Sequence, residues 1–215
     1  MSEFVRTAFS YEIGVVKMNL PNKLSMLRMI LVPFMIIFMI PIPIAVFAGW
    51  NGFVENYGMI IALIIFSVAS YTDHLDGKIA RRDNLITDLG QLLDPIADKF
   101  LVISAFIALA TLGRTTAWVP VIVLLRELLV TGLRSVAASK GVVVPAKWFG
   151  KFKAVIQYVT IIALMIENIL GTFISSGIFM NFVAILCNIL IILTLVFTIL
   201  SGVSYLNEHK DLLNE

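Results

Sequence analysis

The 215-residue chain has one cysteine and two histidines. Cys187 stands alone in an apolar run, which excludes a disulfide framework and a cysteine-ligated metal centre, and His74 and His209 are too few for a histidine-rich one. Charge is scarce as well. Asp, Glu, Lys and Arg make up 14% of the residues, where a soluble domain carries roughly 25%. Apolar residues reach 60% and the mean hydropathy is +0.98. These figures predict an all-α integral membrane protein, a multi-pass bundle built as one domain. The net charge of +2 gives no reason to expect a nucleic-acid partner. There is no 20–50-residue repeat and no low-complexity linker. Residues 1–17 lack the apolar core of a secretory signal. They form a juxtamembrane segment in which Phe4, Phe9, Tyr11 and Val15 suit a short interfacial helix, and Met18 is an alternative start.

About 20 apolar residues cross a bilayer as a helix. Six crossings are expected, at 24–40, 57–82, 88–112, 117–138, 150–170 and 178–205. Pro33, Pro41 and Pro43 are expected to bend or end the first. Twelve cations (Lys17, Lys23, Arg28, Lys78, Arg81, Arg82, Arg134, Lys140, Lys147, Lys151, Lys153 and Lys210) fall on one side of this layout, and only Arg114 on the other. The positive-inside rule makes the rich side cytoplasmic, with both termini there.

Against this background, six aspartates lie within the 26 residues from Asp73 to Asp98. The expected second and third helices join at a short turn, 83–87, with Thr87 as a plausible N-cap. Asp76 is six residues before Arg82 and Asp94 six after Asp88, so each lies about 9 Å inside its helix end. Asp73 and Asp76 are spaced i, i+3, and Asp94 and Asp98 i, i+4, so each pair shares a helix face. Four carboxylates are thereby expected to converge just below the membrane surface. They would repel one another unless a cation neutralised them. Carboxylates at this depth are costly and mark functional sites, whereas Asp83 and Asp88 read as surface charges. Mg²⁺ pairs with a few carboxylates and substrate phosphates, and a two-metal site could clamp a phosphoryl displacement. Gly77, Ala80 and Gly90 leave room for a ligand or a second helix, and Arg81 offers a fork suited to phosphate.

The stretch fits D-x2-D-G-x2-A-R-x8-G-x3-D-x3-D at Asp73, Asp76, Gly77, Ala80, Arg81, Gly90, Asp94 and Asp98. With each residue type near about 5% usage, chance agreement is on the order of 10⁻¹⁰ per start point. The pattern resembles the signature of the CDP-alcohol phosphatidyltransferases. The resemblance implies a six-helix domain over 18–215, usually a homodimer, that displaces CMP from a CDP-linked lipid or alcohol with an alcohol acceptor. It implies that Asp73, Asp76, Asp94 and Asp98 bind Mg²⁺ or Mn²⁺. It further implies that Asp98 is the general base, and that Gly77, Ala80 and Arg81, with Asp73 and Asp76 through metal, hold the CDP group; Gly90 is placed with them.

Residues 18–28, MNLPNKLSMLR, resemble the opening of the family's phosphatidylglycerophosphate synthases, which carry N-x-P-N-x-(S/T)-x-x-R and use CDP-diacylglycerol and glycerol 3-phosphate. Ser25 stands where Thr is frequent, and a 17-residue extension precedes the segment. Asn22, Ser25 and Arg28 are candidate nucleotide contacts; Asn22 and Ser25 serve equally well as helix N-caps. A phosphorylated acceptor needs a cationic pocket, for which Arg126, Arg134 and Lys151 are the candidates. An intramembrane arginine is a functional candidate by default, although Arg126 could merely offset the aspartates or pair with Glu127. Lys140, Lys147 and Lys153 suit anionic lipid headgroups. Other acceptors within the family are inositol phosphate, serine or phosphatidylglycerol. A divalent-cation transporter is the alternative from another class, but it would need acidic groups along the whole path, and the outer halves offer little beyond Glu55 and Glu167.

Overall fold

The computed structural model describes the backbone of residues 20–82, 88–141, 148–174 and 176–208. Within these it describes all side chains except those of 20–21, 45, 73–82, 88–93, 148–149, 151 and 208. The described residues are almost wholly helical and contain no strand. Six long helices account for most of them: α1 Leu20–Met39, α2 Met59–Arg82, α3 Asp88–Thr111, α4 Trp118–Ser139, α5 Trp148–Phe173 and α6 Gly177–Glu208. The six expected crossings therefore coincide with six helices, with ends differing by a few residues. The interfacial helix in 1–17, the turn at 83–87 and the Thr87 cap fall outside the described residues.

Two local expectations change. Pro33 does not end α1, which runs through it and stops at Met39, just before Pro41. Between the first two expected crossings, and overlapping the start of the second at 57–58, residues 45–58 form a 3₁₀ turn (Ala45–Phe47), a short helix (Ala48–Phe53) and a π-helical segment (Val54–Gly58) that lead directly into α2. Glycine and asparagine lower the helix propensity of this stretch. Tertiary contacts hold it instead. The Asn51 side chain bonds both the N–H and the carbonyl of Ile42. A ladder of rings from Phe38 through Trp50 and Phe53 to Tyr57 and Phe173 ties it to α1 and α5. Gly58 is required by close approach, because a Cβ there would run into the carbonyl oxygen of Phe38.

Four segments are long and apolar enough to cross a membrane: Asn22–Met39, Ala48–Thr72, Phe152–Phe173 and Gly177–Asn207. Helices α3 and α4 miss that test because each carries charge within its length: Asp94, Asp98 and Lys99 on α3, and Arg126, Glu127 and Arg134 on α4. The last segment has a mean hydropathy of 2.9, yet only 17% of it is buried. Apolar surface left outside on this scale is surface for lipid. Together these features make the protein a multi-pass membrane protein.

Inside the bundle, α1 packs along both α2 and α3, α5 packs on α6, and α4 leans on α6 and α3. The core is filled by Val32, Met35, Phe66, Leu101, Phe106, Val123, Leu164 and Met165. Alanines 62, 69, 97, 105 and 108, all buried, let the helix backbones close up where lipid supplies no hydrophobic drive.

Candidate active site

α1 presents Asn22, Ser25 and Arg28 on one face at i, i+3 and i+6, and all three are buried. Because Asn22 and Ser25 lie inside the helix, neither is an N-cap. Ser25 instead donates its hydroxyl to Asp94 on α3. One turn further along α3, Asp98 points elsewhere. It accepts a hydrogen bond from the Tyr158 hydroxyl of α5 at 2.6 Å. The two carboxylates are thus each held on one oxygen by a neutral hydroxyl, and among the described residues neither is in an ion pair. The side chains of Asp73, Asp76 and Arg81, the surroundings of Gly77, Ala80 and Gly90, and the side chain of Lys151 lie outside the described residues. The four-carboxylate convergence therefore remains an expectation.

Asp98 also lines a cavity of about 370 Å³ between α3, α4 and α5. Pro95 and Lys99 join it from α3; Arg126, Glu127, Val130, Thr131 and Arg134 from α4; Gly150, Lys153 and Ala154 from α5. Sequence reasoning placed Arg126 and Arg134 near the acceptor, and the fold puts both in one cavity with Asp98. Lys99 is not singled out by the sequence, and Lys153 is read there as a headgroup contact. Lys99 donates to Thr131, whose own hydroxyl donates to the Glu127 carbonyl at 2.7 Å. Lys153 is only 5% exposed and pairs with Glu127, so it does not sit among lipid headgroups. Arg126 Nη1 also reaches Glu127, at 3.3 Å. A signal for Lys153 exists: Lys153, Gln157 and Thr160 recur at i, i+4 and i+7 on an otherwise apolar helix, marking its inward face.

The charges of this cavity can be counted. Lys99, Arg126, Arg134 and Lys153 oppose Asp98 and Glu127, leaving a surplus of two positive charges. Arg126 is 8% exposed, and its Nε has no hydrogen-bond partner among the described residues. A buried donor of this kind needs an acceptor. A second hollow of about 380 Å³ lies farther along the α3–α4 seam, lined by Ile103, Ile107, Ala110, Pro120, Val121 and Leu124 among others. Among the residues that line it, none has a titratable side chain, in contrast to the first.

Asp94 and Asp98 are hard oxygen donors oriented by hydroxyl partners, which is the arrangement a divalent cation favours. Among the described residues no group of three or more such ligands occurs; the remaining two aspartates carry side chains outside them.

Residues 18–206 match the family described as CDP-alcohol phosphatidyltransferase. The chain is 35% identical over 208 residues to the CDP-diacylglycerol–glycerol-3-phosphate 3-phosphatidyltransferase of Bacillus subtilis (strain 168), covering 91% of this chain and 97% of that protein. Proteins of the same name from Rickettsia bellii (strain RML369-C) and Haemophilus influenzae (strain ATCC 51907 / DSM 11121 / KW20 / Rd) are 34% and 30% identical, over 89% and 90% of this chain and 96% and 95% of theirs.

Proposed function

The chain belongs to the CDP-alcohol phosphatidyltransferase family, and from that premise we propose that it transfers the phosphatidyl group of CDP-diacylglycerol to glycerol 3-phosphate, giving phosphatidylglycerophosphate and CMP. The observation that carries the choice of acceptor is the cavity beside Asp98. Its surplus of two positive charges complements a phosphate monoester dianion and offers nothing comparable to a neutral acceptor. The relatives' names point to the same acceptor.

The CDP group is assigned to the α1–α2–α3 side, with Asn22, Ser25, Arg28, Gly77, Ala80, Arg81 and Gly90 around it. The acceptor phosphate is assigned to Arg126, Arg134 and Lys151, with Lys99 and Lys153 now added from the cavity. Asp98 stands between these two regions. Its Tyr158 hydrogen bond fixes one carboxylate oxygen and leaves the other to take the proton of the acceptor hydroxyl. General-base assistance of this kind is worth roughly 10²–10⁴ in rate. As that proton leaves, the acceptor oxygen bonds to the phosphorus that carries diacylglycerol. The bond from that phosphorus to the CMP oxygen breaks, and CMP departs with the electron pair. No covalent enzyme intermediate is needed.

The family depends on divalent metal. Asp73, Asp76, Asp94 and Asp98 would hold Mg²⁺ or Mn²⁺, whose charge offsets that of the diphosphate when bound. Diacylglycerol tails remain in the bilayer. The site and both termini face the cytoplasm of a bacterial plasma membrane by the positive-inside rule, and two copies form the working unit, as the resemblance implies.

The test is CMP release by purified protein supplied with CDP-diacylglycerol and Mg²⁺, with glycerol 3-phosphate, myo-inositol phosphate, serine or phosphatidylglycerol offered separately. Release with glycerol 3-phosphate well above that with the other three is expected. A preference for any of the other three would overturn the acceptor assignment.

A further inference from the structure

α6 is the most apolar helix of the bundle, and no Asp, Glu, Lys or Arg occurs between Gly177 and Asn207. It nevertheless carries Thr194, Thr198, Ser201 and Tyr205 at i, i+4, i+7 and i+11, which places four hydroxyls on one face. All four are buried, none more than 2% exposed. Hydroxyls buried at membrane depth must find partners within the protein.

Two of them bind α5. Thr194 shares a hydrogen bond with Thr160 at 2.8 Å, and Thr198 accepts from Gln157 at 3.3 Å. The other two reach the arginines of the cavity on α4. Ser201 Oγ accepts from Arg126 Nη2, and the Tyr205 hydroxyl accepts from Arg134 Nη2, both at 2.5 Å. The Tyr205 ring also lies beneath both guanidinium groups, 5.8 Å from Arg126 Cζ and 5.4 Å from Arg134 Cζ. The fit against α6 is close at Gly202, where a Cβ would stand 3.4 Å from Arg126 Cγ.

We propose that Ser201 and Tyr205 are positioning residues that aim Arg126 and Arg134 at the acceptor's phosphate. α6 lends the cavity no charge, yet it sets the preference for a phosphorylated over a neutral acceptor. This rests on the assignment of the cavity to the acceptor. The physical reason is preorganisation. An arginine stem has many rotamers, and fixing them at the moment of binding weakens affinity. Arg134, stacked on the ring and tied by one N–H, and Arg126, tied to Ser201 and Glu127 with its Nε left over, have their remaining donors directed before the phosphate arrives. The two threonines fix the register of α6 on α5, so that Ser201 and Tyr205 stand at the right depth.

The test uses the full chain and steady-state CMP release. Ser201→Ala and Tyr205→Phe should each raise the KM for glycerol 3-phosphate about tenfold, as expected for losing one hydrogen bond to a charged group. The KM for CDP-diacylglycerol and kcat should change by less than about twofold, because the nucleotide side is untouched. Ser201→Thr, which keeps the hydroxyl, should stay near the parent. Inorganic phosphate, used as a competing probe, should inhibit Ser201→Ala and Tyr205→Phe more weakly than the parent by a similar factor. An unchanged KM for glycerol 3-phosphate, or parallel losses in both KM values and kcat, would overturn the positioning role. Arg134→Ala separates the two levels. If it raises that KM while Ser201→Ala and Tyr205→Phe do not, only the positioning role fails. If Arg134→Ala leaves the KM unchanged, the acceptor assignment fails and the inference falls with it.

Discussion

Tyr158 of α5 and Asp98 of α3 are joined by a 2.6 Å hydrogen bond from the phenol to the carboxylate. Tyr158 is anchored in turn by its ring, which packs 5.6 Å from that of Phe66 on α2. The base assigned to the reaction is therefore oriented by a helix that sequence inspection connected only with cations. Tyr158→Phe keeps the ring and removes the hydrogen bond, worth about 1.5–3 kcal/mol when the acceptor is charged. kcat should fall about tenfold or more while the KM for CDP-diacylglycerol holds, measured by CMP release. An unaltered kcat would show that Asp98 needs no such support.

Ser25 makes the corresponding contact to Asp94 from α1. If Asp94 holds metal, Ser25→Ala loosens a group that orients a ligand. Such partners typically contribute about 10–100-fold in metal affinity or activity. A titration of activity with Mg²⁺ should shift to higher concentration by about tenfold, with the maximum largely recovered at saturation. Chelation with EDTA should abolish turnover in the parent, and added Mg²⁺ should restore it. A titration curve that does not move would separate Ser25 from the metal.

Glu127 bonds both Lys153 and Arg126 inside the bundle, with a side-chain exposure of 13%. Glu127→Gln leaves two buried cations with less to offset them. Breaking a buried pair from one side costs about 3–5 kcal/mol. The thermal midpoint in detergent should drop clearly, and Glu127→Gln with Lys153→Met should recover a large part of the loss. A Glu127→Gln midpoint equal to the parent's would indicate that the pair contributes little.

Gly58 sits where the π-helical segment meets α1. A Cβ there collides with the backbone oxygen of Phe38, which belongs to helix backbone and has little freedom to yield. Gly58→Ala should destabilise by about 1–3 kcal/mol through overpacking, read as a lower thermal midpoint, while the KM values of the protein that remains folded are unchanged. A midpoint equal to the parent's would mean the two segments can part at no cost.

Much of this architecture is legible in the sequence, and the exceptions share a cause. The long spans follow from apolar length, and the site's neighbourhood from carboxylates that lipid does not tolerate. Arg126 and Arg134 stand out in the sequence because charge inside a span is costly; that they share a cavity with Asp98 follows only from the fold. Lys153 was misread because its position near a helix start resembles that of a headgroup-binding lysine; only the packing of α5 against α4 shows that it faces inward. Tyr158, Ser201 and Tyr205 left weaker traces, since a hydroxyl in a span costs far less than a charge and carries no sign. The helical turns at 45–56 leave no mark in the sequence because they are maintained by Asn51 and stacked rings rather than by local propensity. The motif residues from Asp73 to Gly90 were the clearest feature of the sequence, and their side chains lie outside the described residues.

The most direct measurement is phosphatidyl transfer by Asp98→Asn, made alongside binding of CDP-diacylglycerol to the same preparation. Asparagine keeps the size and the Tyr158 contact but is no base. CMP release with glycerol 3-phosphate should fall by at least about 100-fold, with binding of CDP-diacylglycerol still measurable. Full turnover by that variant would contradict the assignment of the proton to Asp98 and, with it, the chemistry built around this cavity.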